Sequence, residues 1–121
     1  MKLGRPVIAL IEDEPLLRVP LAQGLTDASY DVVAAASGVE GLDLLNDPSV
    51  DLAVVDLKLP GRIDGIGLVR EAKRRNPRLR AIFISGGPPS VDLGDLGAFL
   101  EKPFKLTELL ALVSQAIRDQ R

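Results

Sequence analysis

One apolar run that ends in a carboxylate, residues 52–57 with the sequence LAVVDL, constrains this chain more than any other stretch. Adjacent valines in a short apolar run, followed by Pro60 and Gly61, indicate a strand buried on both faces. Such a strand lies in the middle of a parallel sheet, with Asp56 at its carboxyl end. Because ligands of open α/β sheets bind at that edge, Asp56 is either the cap of an ordinary turn or the centre of a site.

The composition indicates one aliphatic domain without histidine or thiol chemistry of its own. The chain has 121 residues, 46% of them hydrophobic, and a domain of this size buries about two thirds of its unfolded surface. It contains no cysteine and no histidine. A disulfide framework, a histidine base, a histidine metal ligand and a phosphohistidine carried by this chain are therefore excluded.

Charge and hydropathy give no sign of a nucleic-acid or membrane partner. The formal net charge is -2, which provides no general attraction to either. Residues 1–6 lack the apolar segment of a signal peptide, and no run approaches the length of a membrane span. We expect a cytoplasmic domain.

Four further apolar runs, separated by helical patterns, predict strands. They are residues 7–11, 31–36, 80–85 and 98–102. Ser37 and Glu40 have the spacing of a capping box, Asp64 can cap the next helix, and Pro15 fits a first helical position. Pro20 predicts a kink or a later start of the first helix. The alternation predicts a single domain over residues 1–121, with a parallel sheet, right-handed crossovers and helices on both faces.

The segment 86–97 interrupts this alternation. It contains four glycines and two prolines in twelve residues. Glycine and proline are the poorest helix formers, so we expect a shortened or irregular fourth helix there.

Polar groups lie at the ends of four predicted strands. Glu12 and Asp13 follow the first, Asp56 ends the third, Ser85 the fourth and Lys102 the fifth. If these strands are neighbours, the groups face one cleft, where clustered carboxylates raise their own pKa values unless a cation is bound. Oxygen ligands without histidine or cysteine favour Mg²⁺. A cation, an amine and a hydroxyl around one carboxylate suit phosphoryl transfer, with Asp56 as nucleophile. The alternative is a turn-rich edge with unrelated polar residues.

The chain resembles the receiver domain of response regulators from two-component signalling over essentially its whole length. The matching segments are residues 11–15 (IEDEP), 55–61 (VDLKLPG), 83–86 (FISG) and 101–104 (EKPF). The resemblance implies a flavodoxin-like (βα)5 doubly wound parallel sheet with strand order 2-1-3-4-5.

The resemblance also implies a metal site and a phosphoryl acceptor. Glu12, Asp13 and Asp56, with the backbone carbonyl of Lys58, would hold Mg²⁺, with Mn²⁺ as an alternative ion. Asp56 would accept a phosphoryl group from a histidine kinase or a histidine phosphotransfer protein and switch binding to a downstream protein target.

Three further positions match functional positions of the family. Ser85 stands at the Thr/Ser switch position, Lys102 at the invariant lysine and Phe99 at the aromatic switch. A core role without movement is equally compatible with Phe99. By analogy, the bond between Lys102 and Pro103 should be cis.

Two departures bear on partner binding. Residues 61–65 are one residue longer than the usual loop, and the interval from Ser85 to Lys102 is shorter. In the family, the face that commonly binds partners and forms dimers includes the fourth helix. The inference that this chain uses the same face is therefore weakened. A homodimer is left open, as is the choice between a stand-alone regulator and a receiver within a larger protein.

Three other functions compete with this interpretation. A metal-dependent aspartyl phosphohydrolase would have a second aspartate where Lys58 stands. A pseudo-receiver that only binds proteins would not need the intact set of polar groups. A flavodoxin-like mononucleotide binder would need a phosphate-cradling loop where the acidic residues 12–14 would repel the phosphate.

Overall fold

The computed structural model describes residues 4–119. Its strands are β1 (Val7–Ile11), β2 (Asp31–Ala35), β3 (Leu52–Asp56), β4 (Arg80–Ser85) and β5 (Ala98–Glu101), and its helices are α1 (Pro15–Asp27), α2 (Gly38–Leu45), α3 (Gly65–Arg75) and α4 (Leu106–Arg118). The strands are parallel and ordered β2-β1-β3-β4-β5. The predicted doubly wound fold and strand order are confirmed.

Alternating residues of the central strands form two separate apolar layers. In β3, Ala53 and Val55 face the layer of α2 and α3, whereas Leu52 and Val54 face the layer of α1 and α4. All five residues of β3 are buried. The apolar run of residues 52–57 therefore reflects burial on both faces of a central strand, as predicted. Across residues 4–119, none of the helices is long and apolar enough to cross a membrane.

Side-chain caps fix the starts of two helices. Ser37 Oγ accepts a hydrogen bond from the Glu40 backbone N–H at 3.2 Å and donates to Glu40 Oε1 at 3.2 Å. Asp64 Oδ1 accepts from the Gly67 N–H at 2.8 Å. The bonds from the Glu40 and Gly67 backbone N–H groups satisfy donors that a helix leaves without an intrahelical partner. The predicted caps are confirmed.

Of the two alternatives expected from Pro20, a kink or a later start of the first helix, the later start is wrong. Helix α1 begins at Pro15 and continues through Pro20 to Asp27. The carbonyl that Pro20 leaves without a donor belongs to Leu16, a residue that is 85% exposed. Solvent can therefore hydrogen-bond that carbonyl, while burial of the opposite face of α1 stabilises the helix.

Three predicted strands are one residue too long. Residues 36, 57 and 102 lie outside β2, β3 and β5. Each follows the last paired residue directly, and strand ends are the least determined part of a periodic pattern.

The segment between β4 and β5 contains a single 3₁₀ turn, Gly94–Leu96, in place of an α-helix. Leu93 is buried and Leu96 packs beside it, both in the layer of α2 and α3. Val91 is 48% exposed. Lys73 of α3 holds the segment with a hydrogen bond from Nζ to the Asp95 carbonyl at 3.2 Å. The expected shortening of the fourth helix is confirmed.

Gly97 allows this segment to enter the sheet. A Cβ atom at position 97 would lie 2.3 Å from the carbonyl oxygen of Ala81. Only glycine permits the backbone to approach β4 this closely.

We predict that Gly97→Ala lowers the free energy of unfolding by about 1–3 kcal/mol, because the added methyl group must displace backbone rather than a flexible side chain. Gly87→Ala is the matched control, since a Cβ atom there meets nothing within 4 Å. Urea denaturation measures both variants. Equal stability of the two would contradict the proposed steric constraint.

Candidate functional site

Glu12 follows β1 directly and is fully buried. Its Oε2 accepts a hydrogen bond from the Glu14 backbone N–H at 3.0 Å, and its Oε1 accepts one from Lys102 Nζ at 2.8 Å. The side chain therefore points along the carboxyl edge of the sheet and not into solvent.

Asp56 is the last residue of β3 and only 5% exposed. Its Oδ1 accepts from the Lys58 backbone N–H at 2.9 Å, and its Oδ2 accepts from Lys102 Nζ at 2.8 Å. One donor for each oxygen fixes the carboxylate plane and leaves lone pairs on both oxygens.

Lys102 joins the two buried carboxylates. Its ammonium lies 2.8 Å from Glu12 Oε1 and 2.8 Å from Asp56 Oδ2. Burial alone would lower the pKa of Lys102, but the hydrogen bonds to Asp56 and Glu12 and their negative charges outweigh it and raise that pKa. The Lys102 N–H donates to the Ser85 carbonyl at 2.7 Å, and the expected cis bond to Pro103 is present.

The pKa of Glu12 is raised above its usual value of 4.5. Burial is the largest cause, and the nearby charge of Asp56 adds to it. The hydrogen bonds from Lys102 and the Glu14 N–H act in the opposite direction without cancelling the effect. The Lys102 ammonium therefore does not fully offset the burial of Glu12 and the neighbouring charge of Asp56.

The carboxylates fit a hard divalent cation. Glu12, Asp13 and Asp56 each place one carboxylate oxygen within 4.8 Å of the others. Asp13 is exposed, whereas Glu12 and Asp56 are buried, so the cluster opens to solvent on one side. Oxygen donors with excess negative charge suit Mg²⁺. The hydrogen bond from the Lys58 N–H to Asp56 also brings the Lys58 backbone to this cluster.

The two predicted switch residues lie on β4 and β5, outside the group of three carboxylates. Ser85 ends β4 and is 1% exposed, and its Oγ accepts from the Gly87 N–H at 3.4 Å. Phe99 lies in β5 in register with Phe83 and packs, partly buried, in the layer of α2 and α3. Ser85 thus connects the end of β4 to the segment without an α-helix.

Two residues that the sequence analysis did not identify support the site. A Cβ atom at Gly65 would lie 2.3 Å from the Asp56 carbonyl oxygen, so α3 can start against the end of β3 only with glycine there. Arg18 Nη1 donates to the carbonyl oxygens of Glu12 at 2.9 Å and Asp13 at 3.3 Å. A glycine directly after a capping aspartate is a sequence signal for the first contact. The second contact follows from the fold alone.

Comparison with known proteins identifies similarity to response regulator receiver domains. The family model for the response regulator receiver domain matches residues 8–114. The chain is 34% identical to the sensor kinase CckA of Brucella abortus over 97% of its own length, and 33% identical to the DNA-binding transcriptional regulator NtrC of Klebsiella pneumoniae over 93%. It spans only 13% and 25% of these two relatives, respectively.

A solved structure agrees with the sequence matches. A response regulator receiver domain protein from Methanospirillum hungatei superimposes with a TM-score of 0.89 at 26% identity. The alignment covers 97% of this chain and 97% of that chain. The similarity therefore extends over the whole fold, including both ends of the sheet.

We predict that Glu12 makes the metal-free protein less stable as pH rises. A carboxyl whose pKa is raised in the folded state binds protons more tightly there than in the unfolded chain, so stability is lost from pH 4.5 upward to the folded pKa. Urea denaturation in EDTA should show this loss in the parent but not in Glu12→Gln. Glu101→Gln, at an exposed carboxylate, is the control. The same pH dependence in both variants would contradict the argument from burial.

Proposed function

Because this chain belongs to the response regulator receiver domain family, we propose that Asp56 accepts a phosphoryl group from a phosphohistidine donor and thereby switches the binding of a partner protein. Receiver domains are signalling modules that work with histidine kinases and downstream effectors. In this proposal residues 1–121 form one receiver unit, and the only chemistry it catalyses is its own phosphorylation and dephosphorylation.

The observation that carries the proposal is the position of the Lys102 ammonium, 2.8 Å from Asp56 Oδ2 and tied to Glu12 on its other side. An aspartate carboxylate that attacks a phosphoryl group brings two anions together. A cation held against the nucleophile offsets that repulsion and can pair with a phosphoryl oxygen after transfer. An aspartate that only caps a turn does not require an ammonium group held against its carboxylate.

The geometry of Asp56 suits a nucleophile. The Lys58 N–H and Lys102 Nζ hold its two oxygens from different sides, so the carboxylate is oriented before the donor arrives. In the transfer, a bond forms between an Asp56 oxygen and phosphorus. The bond from phosphorus to the donor imidazole nitrogen breaks, and the imidazole leaves with that electron pair. Ser85, at the end of the adjacent strand, is the proposed hydroxyl ligand of the phosphoryl group.

Glu12, Asp13 and Asp56, with the backbone carbonyl of Lys58, are the proposed ligands of Mg²⁺, or of Mn²⁺ in its place. When bound, the ion supplies positive charge that stabilises the phosphoryl oxygens during transfer. A bound cation would also offset the charge of Asp56, which adds to the burial that raises the pKa of Glu12.

The partners follow from the chemistry of an aspartyl acceptor. A histidine kinase or a histidine phosphotransfer protein supplies the phosphoryl group, and a downstream protein reads the result. We propose a cytoplasmic location and no direct contact with nucleic acid, in keeping with the net charge of -2. One similar protein is a sensor kinase and another a DNA-binding regulator, so similar receiver segments occur in proteins with different outputs.

The segment 86–97 is the proposed switch element. It begins directly after Ser85, and Gly86 and Gly87 have open space around them. Leu93 and Leu96 attach its second half to the core. If the Ser85 hydroxyl moves toward a phosphoryl group on Asp56, the first half of the segment is attached to the moving end, with Phe99 beneath it in β5.

We predict that acetyl phosphate with Mg²⁺ adds one phosphoryl group to the parent protein and none to Asp56→Asn. Intact mass spectrometry measures the product, and tandem spectrometry after borohydride reduction locates it. Asp43→Asn, at an exposed aspartate of α2, is the matched control and should be modified like the parent. EDTA should suppress modification of both.

Other results would assign the site differently. Equal modification of Asp56→Asn and the parent would exclude Asp56 as the acceptor. An unmodified parent that binds Mg²⁺ would favour a protein-binding module without phosphorylation. Steady turnover of small phosphate esters would favour an aspartyl phosphohydrolase.

We predict that backbone amides of the open first half of this segment, residues 87–91, exchange quickly with deuterium in the free protein, and that exchange rates within residues 87–96 change by about fivefold or more when a beryllofluoride mimic binds Asp56. Hydrogen-exchange mass spectrometry measures this change. Asp56→Asn should show none. Strong and equal protection in both states would mean that the segment is only a connection, held by its leucines.

A further inference from the structure

We infer that Arg18 is a positioning residue for the acidic cluster, in that it fixes the turn from which Glu12 and Asp13 reach a divalent cation. The inference rests on the proposed function, because it concerns the same metal site. It assigns Arg18 a role through the backbone of two proposed ligands and no contact with the ion itself.

A single guanidinium nitrogen joins α1 to two successive peptide groups of the turn. Arg18 Nη1 lies 2.9 Å from the Glu12 carbonyl oxygen and 3.3 Å from the Asp13 carbonyl oxygen. The guanidinium is planar and always charged, so hydrogen bonds from it are strong and directional. Together they restrict the rotation of both peptide planes.

Among the described residues, the other hydrogen bonds of the turn hold Glu12 but do not reach the Asp13 side chain. The Glu12 N–H donates to the Ala35 carbonyl at 3.0 Å, and Glu12 Oε2 accepts from the Glu14 N–H at 3.0 Å. The Asp13 side chain is exposed, so its direction depends on the backbone that carries it. Arg18 holds the Asp13 carbonyl, and it therefore fixes the backbone from which the exposed carboxylate extends.

Arg18 also leaves the carboxylate oxygens available. Lys102 occupies one oxygen of Glu12 and one of Asp56, whereas Arg18 binds carbonyl oxygens only. Because of this difference, the two possible roles of Arg18 predict opposite changes in Mg²⁺ affinity when its side chain is removed. If its charge alone mattered, its removal would tighten Mg²⁺ binding, because a positive charge repels the ion. If it positions the turn, its removal weakens binding.

The test measures Mg²⁺ affinity by isothermal titration calorimetry in the parent, Arg18→Met and Arg18→Lys. Residues that orient metal ligands typically change affinity by about 10–100-fold, so we expect Arg18→Met to raise the Kd for Mg²⁺ about tenfold. Arg18→Lys keeps the charge but not the planar donor, so its Kd for Mg²⁺ should lie between those of the parent and Arg18→Met. Arg70→Met, at an exposed arginine of α3, is the matched control and should equal the parent.

Two readouts separate positioning from a merely structural role. In the acetyl phosphate reaction, Arg18→Met should need about tenfold more Mg²⁺ for half-maximal rate and recover most of the parent rate at saturating Mg²⁺. Urea denaturation in EDTA reports stability independently. A large loss of stability with an unchanged Kd would assign Arg18 to the fold alone and overturn the inference.

The remaining outcomes distinguish this inference from the proposed function. Tighter or unchanged Mg²⁺ binding by Arg18→Met, with normal phosphorylation of Asp56 in the parent, overturns the role of Arg18 alone. If Arg18→Met binds Mg²⁺ more weakly but the parent is never phosphorylated, the positioning role of Arg18 is supported and the assignment of Asp56 as phosphoryl acceptor is overturned. If Arg18→Met does not fold, Arg18→Lys decides, since a Kd equal to that of the parent contradicts positioning.

Discussion

The contact on which the rest of the site depends is the ammonium of Lys102 between two buried carboxylates. It lies 46 positions along the chain from Asp56 and 90 from Glu12, and 2.8 Å from an oxygen of each. Removing one partner from such a buried group leaves charge uncompensated, which costs several kcal/mol. The polar edge is therefore stable only when β1, β3 and the chain after β5 are assembled together, and the site and the sheet form as one unit.

That contact neutralises only part of the negative charge. Lys102 contacts Glu12 and Asp56 but not Asp13, the third carboxylate of the cluster, and the charge of Asp56 adds to the burial that raises the pKa of Glu12. A fold optimised for stability alone would pair this charge or replace it with apolar groups. Instead the excess is held open to solvent at Asp13, where a divalent cation can enter. The local cost in stability and the capacity to bind a cation have the same origin.

The path between β4 and β5 shows how the βα alternation is preserved without a fourth regular crossover helix. Leu93 and Leu96 cover the part of the sheet that a helix would cover, and Lys73 ties the backbone to α3. Gly97 then allows the chain to return against Ala81. The surface next to the site is therefore a loop with a fixed second half and an open first half, so a partner that reads this edge meets a different shape from a helical face.

The strands, the caps at Ser37 and Asp64, and the common edge of the polar residues could be predicted from the sequence, because they follow from local periodicity and from the rule that parallel strands end at one edge. The continuation of α1 through Pro20 and the reach of Arg18 back to the turn before it could be seen only in the folded protein. It also decided that the Gly65 backbone approaches the Asp56 carbonyl. These features depend on distances between elements that a one-dimensional pattern does not contain, and on burial energies large enough to override the preference of a single residue.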